Sequence, residues 1–241
     1  MYEDFDHSGC TASLADFTCV QAGQILDVEL SENGTGTMLA KRVEFEEDAN
    51  HQALKGTITS VDNPAQFEMV VFNEEPAMNG ITEGGPITVM IQPNATFQVG
   101  TEEMGEDGGF SMSSFSFSSS ADLVVGQDVQ IRPGTVSSSG GQTSVTTDLV
   151  RLWPSQITGT VGNIDQSTGS FTLTPSSPLF TGATPSITSI NVVTLSNTDM
   201  EDGSGSSLPA MGSTVSVKGL LFNKSPTATL VTRTMREHFG D

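Results

Sequence analysis

Hydrophobic residues in this chain fall at every second position in short runs, and the runs themselves repeat. Gly23-Gln24-Ile25-Leu26-Asp27-Val28, Gly126-Gln127-Asp128-Val129-Gln130-Ile131 and Gly212-Ser213-Thr214-Val215-Ser216-Val217 each set a glycine before an alternating stretch. A period of two sends successive side chains to opposite faces, so each stretch predicts a half-buried strand. A second landmark recurs as Lys55-Gly56-Thr57-Ile58-Thr59-Ser60-Val61-Asp62 and Thr158-Gly159-Thr160-Val161-Gly162-Asn163-Ile164-Asp165. Gly23 and Gly126 are 103 residues apart, and so are Gly56 and Gly159. Two landmarks at one offset argue for duplication of a unit rather than chance similarity of strands.

The unit has a readable order. It opens with Leu54–Val61, turns at Asn63-Pro64 and returns through Gln66–Phe72. The later copy runs Gln156–Ile164, a Gln-Ser-Thr-Gly turn, then Ser170–Thr174. A third strand, 87–91 or 187–195, precedes a short segment, Ala95-Thr96-Phe97 or Asn197-Thr198-Asp199-Met200. One helical turn is expected before the glycine-led fourth strand, and a hairpin leads to a last strand at 40–45, 147–152 or 232–236. Five or six short strands per unit predict an all-β chain of tandem small OB-like β-barrel repeats.

The chain begins inside a unit. Tyr2-Glu3-Asp4 matches Met200-Glu201-Asp202 and, loosely, Phe97-Gln98-Val99. The expected domains are therefore 1–50, the second half of a barrel unit; 51–153, a complete barrel; and 154–241, a second complete barrel. A half barrel leaves backbone groups and an apolar face without partners. Truncation, packing on the next domain, or strands from a neighbouring subunit would each account for it.

The Gly-Thr-Ile-Thr-Ser-Val-Asp opening, the Leu123-Val124-Val125-Gly126-Gln127-Asp128-Val129 centre and the Leu39-Ala40-Lys41-Arg42-Val43 close resemble the bacterial repeat called domain of unknown function 5666. The resemblance spans about two and a half copies. It implies small β-barrels in secreted or lipid-anchored proteins, and it brings no catalytic residues. The acidic stretch 101–109 and the two cysteines depart from the family pattern.

Composition narrows the picture further. Nine basic against 29 acidic side chains give a net charge of −20. Such a field repels phosphate backbones, which argues against nucleic acid as a partner. It also keeps a surface hydrated and non-adhesive toward chance neighbours. No apolar run is long enough to span a bilayer, and no signal peptide follows Met1. Cys10 and Cys19 flank one short polar segment and are the only cysteines. A local disulfide and an oxidising compartment are expected; free buried thiols or half of an intersubunit site are the alternatives.

Candidate chemistry is sparse. His7, His51 and His238 lie at unit boundaries or a terminus, and no nucleophile elbow is present, so no enzyme is expected. Acidic residues meet glycine in Glu102, Glu103, Glu106 and Asp107, and in Asp199, Glu201 and Asp202. Calcium is the cation such loops would take, although neither follows an EF-hand order; a solvated acidic loop is the competing reading. Phe110, Phe115 and Phe117 lie in a serine-rich stretch and offer either a binding strip or core packing. Trp153, before Pro154, is expected to plug the junction between units. Gly23, Gly126 and Gly212 before the fourth strand, and Gly56 and Gly159 in the first, are expected to be structural.

The reading these features support is a non-enzymatic, extracellular or cell-surface β-repeat protein with a structural or adhesive role. Its partner would be itself, through strand completion of the half repeat into an oligomer or filament, or another surface protein or polysaccharide. The alternative is a carbohydrate- or protein-binding surface module.

Overall fold

The computed structural model describes residues 2–4, 25–32, 38–46, 52–75, 77–100, 115–200 and 208–238. The chain is nearly all β and divides into two compact units, Met1–Gln52 and Ala53–Asp241. No helix among the described residues is long and apolar enough to cross a membrane.

The first unit contains strands β1 (Tyr2–Asp4), β2 (Ile25–Glu32) and β3 (Met38–Glu46). They form a three-stranded sheet in the order β1-β3-β2. β1 runs parallel to β3, and β2 runs antiparallel to it.

The second unit holds two closed five-stranded barrels. The first comprises β4 (Ala53–Asn63), β5 (Gln66–Glu75), β6 (Pro86–Val99), β7 (Asp128–Ser139) and β8 (Gln142–Trp153). The second comprises β9 (Ser155–Asp165), β10 (Ser170–Pro175), β11 (Ile190–Met200), β12 (Thr214–Phe222) and β13 (Thr229–His238). Strand order is β4-β5-β6-β8-β7 in one and β10-β11-β13-β12-β9 in the other. Both are the cyclic order 1-2-3-5-4, with strands three and five parallel. That is the order of an OB-like barrel, and closure leaves no strand edge free.

Alternation produces these barrels as the pattern predicts. Phe67, Met69 and Val71 of β5 point inward, while Glu68 between them and Phe72 after them face out. Ile58, Val89, Val129, Val145 and Val150 complete the first core; Val161, Leu173, Val192, Val217 and Leu230 lie in the second. Each such side chain contributes about 1.5–3 kcal/mol on burial.

One local expectation is corrected and one is met in the first barrel. The segments 95–97 and 197–200 are not separate elements but continuations of β6 and β11 beyond a register shift. The helical turn precedes the fourth strand in the first barrel, as a 3-10 turn at Ser120–Asp122. In the second barrel residues 201–207, ahead of the fourth strand, lie outside the described residues, and the described helix, α1 (Pro178–Gly182), lies between the second and third strands. The oxygen of Ser177 accepts from the Leu179 N–H and caps it, with proline at its start.

The two barrels share a boundary that is one residue long: β8 ends at Trp153 and β9 begins at Ser155. The last turn of β12 is buried on both sides. Leu221 packs in its own core, whereas Leu220 and Phe222 join the hydrophobic cluster of the first barrel.

Candidate functional site

The side chains that do more than fill a core gather where the barrels meet. The turn before β7 begins this junction. Gly126 sits there at φ +89°, a conformation that favours glycine, and its N–H donates to Ile58 O at 2.9 Å. The Ile58 N–H returns a bond to Gln127 O at 2.8 Å. The turn is thereby clipped onto the opening strand.

Its outer face receives the second barrel. A Cβ on Gly126 would overlap the ring of Phe180, which α1 presents. The next side chain, Gln127, is fully buried and bonded at both ends. Its Oε1 accepts from the Val124 N–H at 2.7 Å, and its Nε2 donates to Asp122 O at 3.1 Å and to Leu221 O at 2.9 Å. A buried amide lacking those partners would cost about 1–3 kcal/mol, so this bridge fixes one mutual orientation of the barrels. Asn223 repeats the device at the rim, donating from Nδ2 to Ala121 O and Leu123 O at 3.1 and 3.2 Å. The Phe115 and Phe222 rings meet across the junction with centroids 4.8 Å apart, and Lys224 Nζ lies 5.2 Å from the Phe115 centroid.

Asp128 closes the other side. Its N–H donates to Ser155 Oγ at 2.7 Å, and its Oδ1 accepts from Thr57 Oγ1 at 2.6 Å. Burial pushes its carboxyl up to about 6, against the Thr57 hydrogen bond and the Lys218 charge, which both favour the ionised form. Elsewhere the resolved shifts run downward. Asp148 is lowered chiefly by its hydrogen bond from Arg132, and Asp165 by that from Ser167.

A groove of about 610 Å³ opens beside the junction. β4 and the 123–125 segment form one wall; the segment after α1 and the β12–β13 loop form the other. Hydroxyls dominate it, including Thr59, Ser60, Thr188, Ser189 and Ser225, and among the described residues of its lining Lys224 is the one charged side chain.

The residues singled out by sequence are placed unevenly. Cys10, Cys19, Gly23, Glu102, Glu103, Glu106, Asp107, Phe110, Glu201 and Asp202 lie outside the described residues. Asp199 is exposed on β11, opposite Thr234. No group of three His, Cys, Asp or Glu among the described residues is placed to hold a metal. Phe117 is buried, edge-on to Phe97 at 5.7 Å, and Phe115 packs on Phe222. Trp153 is half-buried under Lys55 Nζ, 4.3 Å from its ring centroid. Gly56 and Gly159 lie where a Cβ would overlap the carbonyl of the second strand. Gly212 stands at φ +87° in the turn before β12.

Sequence reasoning missed Gln127, Phe180 and Asn223. A signal for this boundary was present in Gly219-Leu220-Leu221-Phe222, an apolar run without alternation, which marks a strand covered on both faces.

Comparison with known proteins adds the following. Residues 158–232, most of the second barrel, match the family model described as Domain of unknown function (DUF5666). No curated protein matches the chain. Among solved structures, wild-type single-stranded DNA binding protein from Thermus aquaticus is 11% identical, with a TM-score of 0.26, over 79% of this chain and 94% of that one. A deletion mutant of the same protein is 13% identical, with a TM-score of 0.26, over 79% and 95%. The exclusion of nucleic-acid partners is corrected by this finding, since the neighbours are single-stranded DNA-binding proteins. The net charge of −20 is a whole-chain total, and the described residues that line the groove include no carboxylate.

Proposed function

We propose that this chain, whose second barrel carries the domain-of-unknown-function match, is a non-enzymatic structural or adhesive β-repeat protein of the cell surface. In this reading the half barrel at residues 1–50 is completed in trans by strands of a neighbouring copy. One observation carries it. The sheet β1-β3-β2 is the 3-5-4 half of the barrel order found twice in the second unit. The register agrees as well as the order. Tyr2 pairs with Val43 as Phe97 pairs with Val150 and Met200 with Met235, each pair joining a parallel third and fifth strand.

Strands one and two of such a barrel form a hairpin, and that hairpin is what the half sheet would accept. The one-residue boundary and the Gln127 bridge support a stiff pair of barrels within the second unit, and the acidic composition suits an exposed setting.

The test is a labelled peptide spanning Ala53–Glu75, the β4–β5 hairpin, titrated into the full chain. Fluorescence anisotropy is expected to saturate, and amide exchange to slow in Tyr2–Asp4 and Ile25–Glu32, the strands that would gain partners. A scrambled peptide is expected to do neither. Absence of saturable binding, or protection confined to the barrels, would sink the reading.

The groove favours a second reading, a binding module. Its hydroxyls and aliphatic walls suit an uncharged oligosaccharide, which offers hydroxyls and C–H faces in turn. Chemical-shift changes at Thr59, Thr188 and Ser225 with neutral oligosaccharides would support that module. Changes with a single-stranded oligonucleotide instead would assign the groove to nucleic acid.

A further inference from the structure

Asp128 grips the linker between the barrels at both of its ends. That linker is the buried Pro154 alone, between the last residue of β8 and the first of β9. Before the linker, Asp128 pairs with Trp153 in the β7–β8 ladder. After it, the Asp128 N–H donates to the Oγ of Ser155, a residue only 1% exposed. Asp128 also pairs with Thr57 of β4, whose hydroxyl donates to its carboxyl. Three strands of the first barrel and one of the second therefore meet at a single half-buried acid.

The charged groups nearest to it along these strands are cations. Lys55 of β4 pairs with Gln130 and lies over the Trp153 ring. Arg151 of β8 pairs with Gln130 from the other side. Lys218 of β12, exposed and paired with Gln156 beside Ser155, is the charge felt at the carboxyl. Asp62 of β4, Asp148 of β8 and Asp165 of β9 stand further along their strands, and Arg132 of β7 is bonded to Asp148. Among the described residues, the hydrogen bond that the Asp128 carboxyl receives comes from the neutral Thr57 hydroxyl. A carboxylate in that place has left water for one hydroxyl, so its ionisation favours any movement that readmits water or brings Lys218 nearer. The residue that would move is the one that holds the linker.

We infer that Asp128 is a proton-operated catch on the linker: protonated, it holds the two barrels in one orientation, and ionised, it releases the linker. The joint is then left to the contacts on its other side, those of Gln127 and Asn223, and the barrels sample a range of orientations. The sign follows from linkage. In the held joint the carboxyl keeps its proton up to about 6, against 3.8 for an ordinary aspartate. The preference for the held joint is complete below 3.8, falls as pH rises and is gone above about 6. Between pH 5 and 7.5 the ratio of released to held joint rises about tenfold. The device lies wholly within the second unit and depends neither on strand completion nor on a ligand in the groove.

Trp153 is the only tryptophan of the chain and adjoins the linker, so its fluorescence reads the joint in the unlabelled full-length protein. The experiment is acrylamide quenching of Trp153 from pH 5 to 7.5, with amide residual dipolar couplings of both barrels at the two ends of that range. In the wild type, quenching is expected to rise with a midpoint near 6. The couplings are expected to fit one alignment tensor for both barrels at pH 5 and to need two at pH 7.5. Asp128→Asn, neutral and of the same shape, keeps an acceptor for Thr57 and is expected to hold the acid values of both throughout. Quenching that does not change with pH in the wild type would overturn the inference, as would a titration that survives in Asp128→Asn. A single tensor at pH 7.5 would show that ionisation does not reach the barrels, and two tensors already at pH 5 would show a joint loose without it; either sinks the idea.

Discussion

Gly126 and Gly212 are the same residue in two copies of one turn, and their neighbours make them different. Both need the left-handed conformation, and both donate to the opening strand of their barrel. Only Gly126 is also a floor on which Phe180 rests. The local sequence therefore sets the turn, and the next barrel decides whether the turn is also an interface. A repeat protein gains much of its stability from such neighbour contacts, so equal positions in unequal contexts carry unequal energies.

Replacing each glycine by alanine is the sharpest way to separate the two contributions. Gly212→Ala is expected to cost about 1–2 kcal/mol, the penalty of a Cβ in the left-handed region. Gly126→Ala carries that penalty and must also displace the Phe180 ring, for a total of about 3 kcal/mol or more. Urea unfolding measures both. The comparison breaks if the two losses are equal, because the Phe180 contact would then contribute nothing.

Asp128 marks a second difference, since it lies at the joint and titrates within reach of ordinary buffers. Its carboxyl stands near 6 in the folded chain, raised from an ordinary value of 3.8. A raised carboxyl means that the folded state holds its proton at a pH where the unfolded state has released it. The resulting stability is complete below about 3.8, falls as pH rises and is gone above about 6. Asp148 and Asp165, whose carboxyls are lowered, act in the opposite direction and at lower pH. Discounted for the partial exposure of Asp128, the change is about 2 kcal/mol. Asp128→Asn should remove that slope between pH 4 and 6 and be the more stable protein at pH 7. Parallel stability curves for the two proteins would show that the joint does not titrate.

How much of this was legible in the chain follows from the range of each interaction. Alternation, turn glycines and the 103-residue offset are local or periodic, and they led to all-β barrels in tandem. The junction is neither. Gln127 reads as a polar surface residue until Leu221 O, 94 positions later, is brought against it. Phe180 sits in a five-residue helix, too short for a periodic signal. The groove joins 59–61 to 182–189 and 223–228, and no spacing rule connects such segments. The charge total is of the same kind, because a sum over 241 residues does not locate its members.

Thr147 and Thr232 sharpen the comparison at its finest scale. They hold one position in the last strand of each barrel, and both are fully buried. Thr147 Oγ1 lies 2.9 Å from Arg132 O and 2.7 Å from Leu149 O, and it accepts from the Leu149 N–H at 3.2 Å. Thr232 Oγ1 has no hydrogen-bond partner among the described residues. Valine has nearly the shape of threonine and lacks the hydroxyl. At 147 it removes satisfied bonds and leaves the Leu149 N–H without the acceptor it had, a loss of about 1 kcal/mol or slightly more. At 232 it removes a hydroxyl that was desolvated for no return, so Thr232→Val is expected to be neutral or to stabilise by up to about 1 kcal/mol. Opposite signs for one substitution at one fold position would show that the second barrel tolerates a polar defect the first has resolved. A loss at both sites would mean that Thr232 is bonded in solution.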